Sequence, residues 1–370
     1  MYHPAVLLLC MFLISSMICY LMIKPSGGVF PLLQIRRNPY QYVHDAFRRN
    51  NYTTSNKFVS KDPLFFNIRY EVKHNIIWNE ESNYCNGTFI LLMFHVNVGD
   101  EERRDLFRQY VKQGMLVEGK KINYVFVVGS PLRNKDTVER LRDENKRHND
   151  ILLSVHEDNY MNITLTHLDA LLWVRDYCKD TTFVGRVDGD VWIHFGNLIQ
   201  YLSTVNPYRF YAGGMPFSRV MEHGYVYKGI HTIPFDFPPQ RWTALTGGAI
   251  LYSRDVIPFI NIGTQYMEIL QPLSDDGTIG EILTRAGIRF APRPRNYIVY
   301  SHRYTSIADN IIFQHGIKDI SLLREVFKNN TDRYLIGVSS NSKILLCLFQ
   351  QTLFWSNGEI RRFSFSCYCI

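Results

Sequence analysis

The sequence has no dense basic run: its Lys and Arg are scattered, although the net charge is +7. A nucleic-acid-binding face needs clustered cations, so that class is set aside. There is no C-x-x-C pair and no His/Cys spacing that would hold zinc, and Cys367-Tyr368-Cys369 is too tight for an ordinary zinc pair. No internal repeat and no low-complexity tract occurs, which excludes solenoids and compositional linkers. No charge interrupts Ala5–Ile23, and no Lys or Arg precedes it. With 46% hydrophobic and 20% charged residues over 370 positions, wholesale disorder is excluded and one large packed domain is within reach.

Ala5–Ile23, AVLLLCMFLISSMICYLMI, is nineteen residues long. As a helix it just spans a bilayer core of about 30 Å. It reads as an uncleaved signal anchor. The competing reading is a signal peptide cut near Ser26-Gly27-Gly28, but the run is long for that and no clear A-x-A-like site follows. Orientation is contested within the sequence. Lys24, Arg36 and Arg37 follow the run, which by charge alone keeps the bulk of the chain in the cytosol. Sequons at Asn51, Asn86, Asn162 and Asn329 argue for the lumen. Cys10 and Cys19 lie in the apolar run; Cys85, Cys178, Cys347, Cys367 and Cys369 remain, an odd number, so at least one stays unpaired within the chain.

The organisation follows: a cytoplasmic tail at 1–4, the anchor at 5–23, a polar Asn- and Tyr-rich stem at 24–84, a folded domain at 85–335 and an extension at 336–370. From Thr88 the pattern sharpens. FILLMFHV is a continuous apolar run, the mark of a strand buried on both faces. DEERRDLFRQYVKQ, TVERLRDENKRH and LTHLDALLWVRDYC read as helices, the last amphipathic through Leu165, Leu168, Leu172 and Val174 or Arg175. INYVFVVGS, DILLSVH and TTFVGRV read as strands. Strand and helix alternate, so the expected fold is α/β with a mainly parallel sheet. Downstream, HTIPFDFPPQRW reads as a surface loop, ALTGGAILYSRD as a Gly-flanked strand followed by a helix near Asp255, and LSDDGTIGEILTRAGI as a helix with acids at its start.

The fourth strand delivers Asp188-Gly189-Asp190 at its C-terminal end, where such sheets bind ligands. Carboxylates at i and i+2 of a continuing strand point the same way and can share a hard divalent cation, which also accepts phosphate oxygens. On the motif alone, a surface acidic turn or a helix cap is the commoner reading.

FVGRVDGDVWIHFGNLIQYL resembles the metal-motif segment V-x-K-x-D-D-D-V-F-V-N-x-x-N-L-x-x-L of the β-1,3-galactosyltransferase family, through Asp188, Asp190, Val191, Asn197, Leu198 and Leu202. Glu102, Arg103, Arg104 and Arg108 resemble its E-R-R-x-x-I-R segment. Asp150, Ile151, Tyr160, Asn162, Thr164, Leu165, Trp173 and Cys178 fall in register with a third segment, and SDDGTIGEILTRAGI resembles E-D-V-Y-x-G-x-x-L-x-x-L-G-I, with a fringe-like D-D-x-T-I-G. The likeness runs from about Phe89 to His315. It implies a GT-A type fold behind one transmembrane helix and a stem, and a type II Golgi protein with a luminal domain. It also implies inverting transfer of galactose or N-acetylglucosamine from a UDP-sugar to a glycoprotein or glycolipid glycan, with Mn2+ or Mg2+. On that resemblance Asp190 is the direct metal ligand and Asp188 assists at the metal or the UDP ribose. His315 completes the metal shell, with His302 as competitor. Arg104 and Arg108 face the donor phosphates or are merely solvated. Asp276 is the base that takes the acceptor proton, or a cap of the helix beginning near Gly277.

Three departures stand out. Gly189 replaces the middle acid, Tyr110-Val111 replaces T-W, and Leu245 replaces a cysteine, so Cys178 pairs elsewhere or stays free. Two readings compete with the transferase: an inactive relative serving as chaperone or subunit of an active transferase, and a metal-dependent hydrolase using the same acids.

Overall fold

The computed structural model describes residues 85–330 apart from 132–133, 222–225, 228–230, 233–239, 266–268, 272–273 and 301–309, together with 66–68, 76, 345–348, 355–356, 359–360 and 366–369. The expected anchor, most of the expected stem, Asn51 and His302 lie outside the described residues. Among the described residues no helix is long and apolar enough to cross a membrane.

The elements that build the site are, in chain order, β1 (Ile90–His95), α1 (Glu101–Tyr110), β2 (Met115–Val117), β3 (Lys120–Ser130), α2 (Lys135–His148), β4 (Ile151–Glu157), α3 (Ile163–Tyr177), β5 (Phe183–Asp188), β6 (Val191–Ile193), α4 (Phe195–Thr204), β7 (Tyr211–Ala212), β8 (Pro216–Met221), β9 (Gln240–Leu245), β10 (Ala249–Ser253), α5 (Ile257–Gly263), α6 (Asp275–Arg285), β11 (Ile298–Tyr300), β12 (Phe313–His315) and α7 (Ile320–Asn329). The main sheet has seven strands in the order β2-β3-β1-β5-β10-β7, with β4 sharing the outer edge of β3. β4, β3, β1 and β5 run parallel, while β10 pairs antiparallel with both β5 and β7, and β2 antiparallel with β3. The sheet is therefore mixed. The expectation of a mainly parallel sheet holds for its centre and fails toward both edges, because a short buried strand such as AILYS carries no signal of its direction.

Alternation along β1 divides the core. Ile90, Leu92 and Phe94 face one apolar cluster with Leu106 and Phe107 of α1, Leu141 of α2, Leu198 of α4 and Phe327 of α7. Leu91 and Met93 face the other, with α3, α5 and α6. That is the period of two expected of a strand covered on both faces, and the result is a three-layer α/β/α body. The amphipathic reading of α3 needs correction. Every residue from Thr164 to Val174 is buried, His167 and Asp169 included, because the helix lies between the sheet and α5 and α6. At α6, a Cβ on Gly280 would come within 2.6 Å of Ala244 Cα. Only a glycine lets the helix lie this close to β9.

Cys85 and Cys178 form a disulfide, with Cα atoms 4.9 Å apart. It ties the start of the folded domain to the end of α3, so Cys178 does pair, without the cysteine whose place Leu245 holds. The stretch expected as stem reaches the folded unit as well. Ile76 is buried and bridges Ser154, and Phe66–Ile68 pairs with Ile269–Gln271.

Candidate active site

β1 and β5 run side by side with His95 opposite Asp188, so both strands end at the same cleft. The chain turns at Gly189, whose N–H donates to His95 O (3.0 Å), and continues into β6. β6 pairs antiparallel with β12, setting His315 opposite Val191. Asp188, Asp190 and His315 thereby converge, each offering a ligand atom within 4.8 Å of the others. His315 Nε2 is 3.2 Å from Asp190 Oδ1 and 3.4 Å from Asp188 Oδ2. Gly316 and Ile317 donate their N–H groups to Asp190 O (3.1 and 3.0 Å), which holds the loop after β12 onto the Asp pair.

Burial alone would lower the pKa of His315, but its close contacts with Asp188 and Asp190 and their charges raise it to about 9. The same contact, working against burial, lowers Asp190. Two carboxylates and one imidazole are a donor set for Mn2+ and, with less nitrogen preference, Mg2+. Asp190 Oδ1, which faces His315 Nε2, is a buried oxygen without a conventional hydrogen bond. The residues present therefore fit a divalent ion.

The cleft has a volume of about 600 Å³ and is lined by this triad and by Asp275 and Asp276 at the start of α6. Two glycines join the two halves of the site. Gly247 N–H donates to Asp276 Oδ2 (2.8 Å). Gly248 O accepts from Asp188 N–H (2.8 Å). Gly248 has φ +95°, and a Cβ there would lie 2.8 Å from His315 Nδ1, so both its backbone and its close approach demand glycine. Tyr300 closes the wall, its hydroxyl 2.9 Å from Thr246 Oγ1 and donating to Gly247 O at 3.2 Å.

The two adjacent acids of α6 sit in opposite electrostatic surroundings. Burial would raise Asp275, yet Arg186 and the His167 hydrogen bond outweigh it and hold it well below the usual carboxylate range. His167 is kept neutral chiefly by burial, so its Nδ1–H donates to Asp275 Oδ2 (2.9 Å). Asp276 is pushed up, first by burial and then by the charge of Asp275. Ser274, not Asp276, occupies the N-cap position and makes no side-chain cap bond. Asp276 Oδ1 accepts the N–H of its neighbour Gly277 (2.8 Å), while Oδ2 leaves the helix for Gly247. Asp276 therefore serves its own first turn only in part.

Arg186 is the central cation. It is 2% exposed; Nη1 lies 2.6 Å from Asp188 Oδ1, and Nε lies 2.8 Å from Asp275 Oδ2. The second approach is off the line a hydrogen bond needs, so it is an ionic contact and Nε counts as unbonded. Asp188 is thus shared between Arg186 and the triad.

The expectation for Arg104 and Arg108 is corrected. Arg104 is buried and bidentate on Glu144 (2.7 and 2.6 Å), with Nη1 on Asn97 O. Arg108 is bidentate on Asp150 (2.9 and 2.8 Å) and close to Glu144. Both guanidinium groups brace α1 against α2 and the Asp150 turn, away from the cleft. Arg103, one residue earlier, points into it: Nη1 donates to Gly189 O (3.1 Å) and Nη2 to Lys318 O (2.6 Å). Sequence reasoning met Arg103 only as a match to the family segment and gave it no role, and it passed over Arg186, His167 and Lys318. Arg186 did leave a signal, a lone cation inside a buried strand two residues before Asp188 and so on the same face.

A sequence model of the family described as Galactosyltransferase matches residues 102–294, just over half of the chain. The chain belongs to the galactosyltransferase family. Among its relatives is a UDP-GlcNAc:betaGal beta-1,3-N-acetylglucosaminyltransferase 9 from Bos taurus, 34% identical over 39% of this chain and 38% of its own length. Another is a lactosylceramide 1,3-N-acetyl-beta-D-glucosaminyltransferase from Homo sapiens, 25% identical over 79% of this chain and 77% of its own length. The chain thus spans well under half of the bovine relative and about three quarters of the human one. A crystal structure of the galactosyltransferase LgtC with donor and acceptor sugar analogs overlaps 65% of this chain and 95% of its own at 13% identity, with a TM-score of 0.36. The family's segment runs from α1 to Pro294, shortly before β11, so it contains both Asp188-Gly189-Asp190 and Asp275-Asp276.

Proposed function

We propose that this galactosyltransferase-family chain is a metal-dependent inverting hexosyltransferase of GT-A type. It moves galactose or N-acetylglucosamine from a UDP-sugar to a hydroxyl of a glycoprotein or glycolipid glycan, in β-1,3 linkage. One observation carries the reading: a single cleft unites a divalent-cation donor set with a second, separate carboxylate whose pKa is raised. A metal site alone suits many chemistries; a metal site plus an independent base suits displacement at a sugar carbon.

Asp188, Asp190 and His315 would hold Mn2+ or Mg2+, which when bound neutralises charge on the departing diphosphate. Asp276 accepts the proton of the acceptor hydroxyl. The acceptor oxygen bonds to the sugar C1 as the bond from C1 to the phosphate oxygen breaks, and that electron pair leaves with UDP. Attack opposite the leaving group inverts the anomeric centre. Gly247 N–H keeps Asp276 Oδ2 oriented, and Arg186 engages Asp188 and Asp275 in ionic contacts.

Asp190→Ala removes a ligand without opening a packing void. UDP affinity measured calorimetrically with manganese is expected to fall at least about tenfold, with circular dichroism unchanged. Unchanged manganese-dependent binding would reject the site.

The reading extends to a type II Golgi membrane protein with this domain in the lumen. Asn86 and Asn329 are exposed, whereas Asn162 is half-buried and its amide donates to Glu157 O (3.0 Å). Expressed in secretory cells, the chain is expected to gain mobility on a gel after glycosidase treatment, with Asn86 and Asn329 contributing more than Asn162. Absence of glycan at all four sequons, with the domain open to protease from the cytosolic side, rejects this orientation.

A further inference from the structure

With Arg104 and Arg108 withdrawn into the fold, the donor's diphosphate needs another positive partner. Besides His315 of the metal triad, three side-chain cations line the cleft: Arg103, Arg186 and Lys318. Arg186 is buried between Asp188 and Asp275. Arg103 donates through Nε to Asp100 Oδ2 (2.7 Å) and through its terminal nitrogens to Gly189 O, Ile317 O and Lys318 O. Neither guanidinium can turn to a ligand without breaking these contacts. Lys318 is exposed, and among the described residues its Nζ has no carboxylate partner.

The backbone that carries Lys318 is nonetheless fixed. Its carbonyl accepts from Arg103 Nη2 and its N–H donates to Gly316 O (3.0 Å). The two preceding N–H groups hold Asp190 O. Lys318 therefore rises from a loop fastened to a residue of the metal triad, three positions after His315, with an ammonium that is unpaired among the described residues on a flexible stem. A compact, rotatable cation beside a metal site suits oxygens whose charge grows during the reaction, since it can follow them.

We propose that Lys318 is the side chain that binds the diphosphate of the nucleotide-sugar, alongside the metal, with Arg103 as the residue that positions its loop. The inference rests on the proposed transferase reading and goes beyond it by naming the protein's own cation for the leaving group. It differs from the sequence expectation in placing that cation after β12 and not on α1.

The experiment uses the full chain in detergent, with UDP and manganese as probes in calorimetry. Native protein, Lys318→Met and Lys318→Arg are compared, each checked by thermal melting. Lys318→Met is expected to weaken UDP about tenfold at fixed manganese, as loss of one charge-assisted hydrogen bond does, and to flatten the dependence of UDP affinity on salt. Lys318→Arg keeps affinity within about threefold. Manganese binding in the absence of UDP stays native in both. Native UDP affinity in Lys318→Met overturns the inference and leaves the transferase reading standing. Equal losses of UDP and of manganese alone also overturn it, because Lys318 then acts on the triad. If native protein does not bind UDP with manganese at all, the inference falls together with the transferase reading.

Discussion

Asp276→Asn is expected to bind UDP with manganese within about threefold of the native protein while transfer falls about 10²–10⁴-fold, the usual contribution of a positioned general base. The geometry makes the substitution clean for the donor side, because among the described residues no hydrogen bond joins Asp276 directly to the triad, and Gly247 and Gly248 stand between them. It is less clean for Asp276 itself. Its two oxygens accept from Gly247 and Gly277 N–H groups. An amide can accept only through its one oxygen, so one N–H then faces an NH2 group. That loss costs about 1 kcal/mol. The removed charge offsets it: burial and Asp275 disfavour ionised Asp276, so a neutral side chain relieves the repulsion. Stability at neutral pH should therefore stay near native, and the rate alone should collapse.

The pH profile supplies a second readout. A base must be ionised, and Asp276 is raised, so the native rate should fall on acidification along a limb above the ordinary carboxylate range. The limb belongs to the coupled Asp275–Asp276 pair. It should be absent from the residual rate of Asp276→Asn. Near-native turnover in the Asn variant would reject the base and leave the partial helix-terminus role as the only one.

What could be read from the sequence was what a local pattern records. FILLMFHV announced β1 because a doubly covered strand is apolar without interruption, and Asp188-Gly189-Asp190 announced a ligand site because a parallel strand ends there. His315 came into view only through the family resemblance, since nothing local marks a histidine that reaches Asp190 across the β6–β12 ladder. Other features escaped because they depend on partners far along the chain. Arg104 and Arg103 are neighbours in a helix, about 100° apart in projection, and nothing local says which faces Glu144 and which the cleft. The direction of β10 is a matter of connection, not composition. The burial of α3 on all sides follows from α5 and α6 covering its outer face. The opposite fates of Asp275 and Asp276 are set by Arg186 and His167, which arrive from β5 and α3.

Arg186→Met is expected to lower folding stability by about 3–5 kcal/mol at neutral pH, the cost of stripping the partner from a buried charge. Asp275 is nearly as buried as Arg186, and among the described residues its side chain would keep only the His167 hydrogen bond. Methionine fills much of the volume, so packing loss is a minor part. The sign with pH separates this from a cavity. In the native protein Asp275 is held below its unfolded value, so its contribution is complete above the unfolded pKa and fades as pH falls toward the folded one. Without Arg186 burial dominates and Asp275 is raised. Its ionised form then destabilises at neutral pH, and the penalty shrinks as acid protonates it. The gap between native and Arg186→Met in chemical denaturation should therefore narrow steadily from pH 7 to pH 4. Adding Asp275→Asn to Arg186→Met should recover a large part of the loss at pH 7, since no buried charge is then left alone. A deficit that is constant with pH and untouched by the second substitution would mean that Arg186 serves packing only, and that the charge bridge between the metal triad and the acids of α6 has no energetic weight.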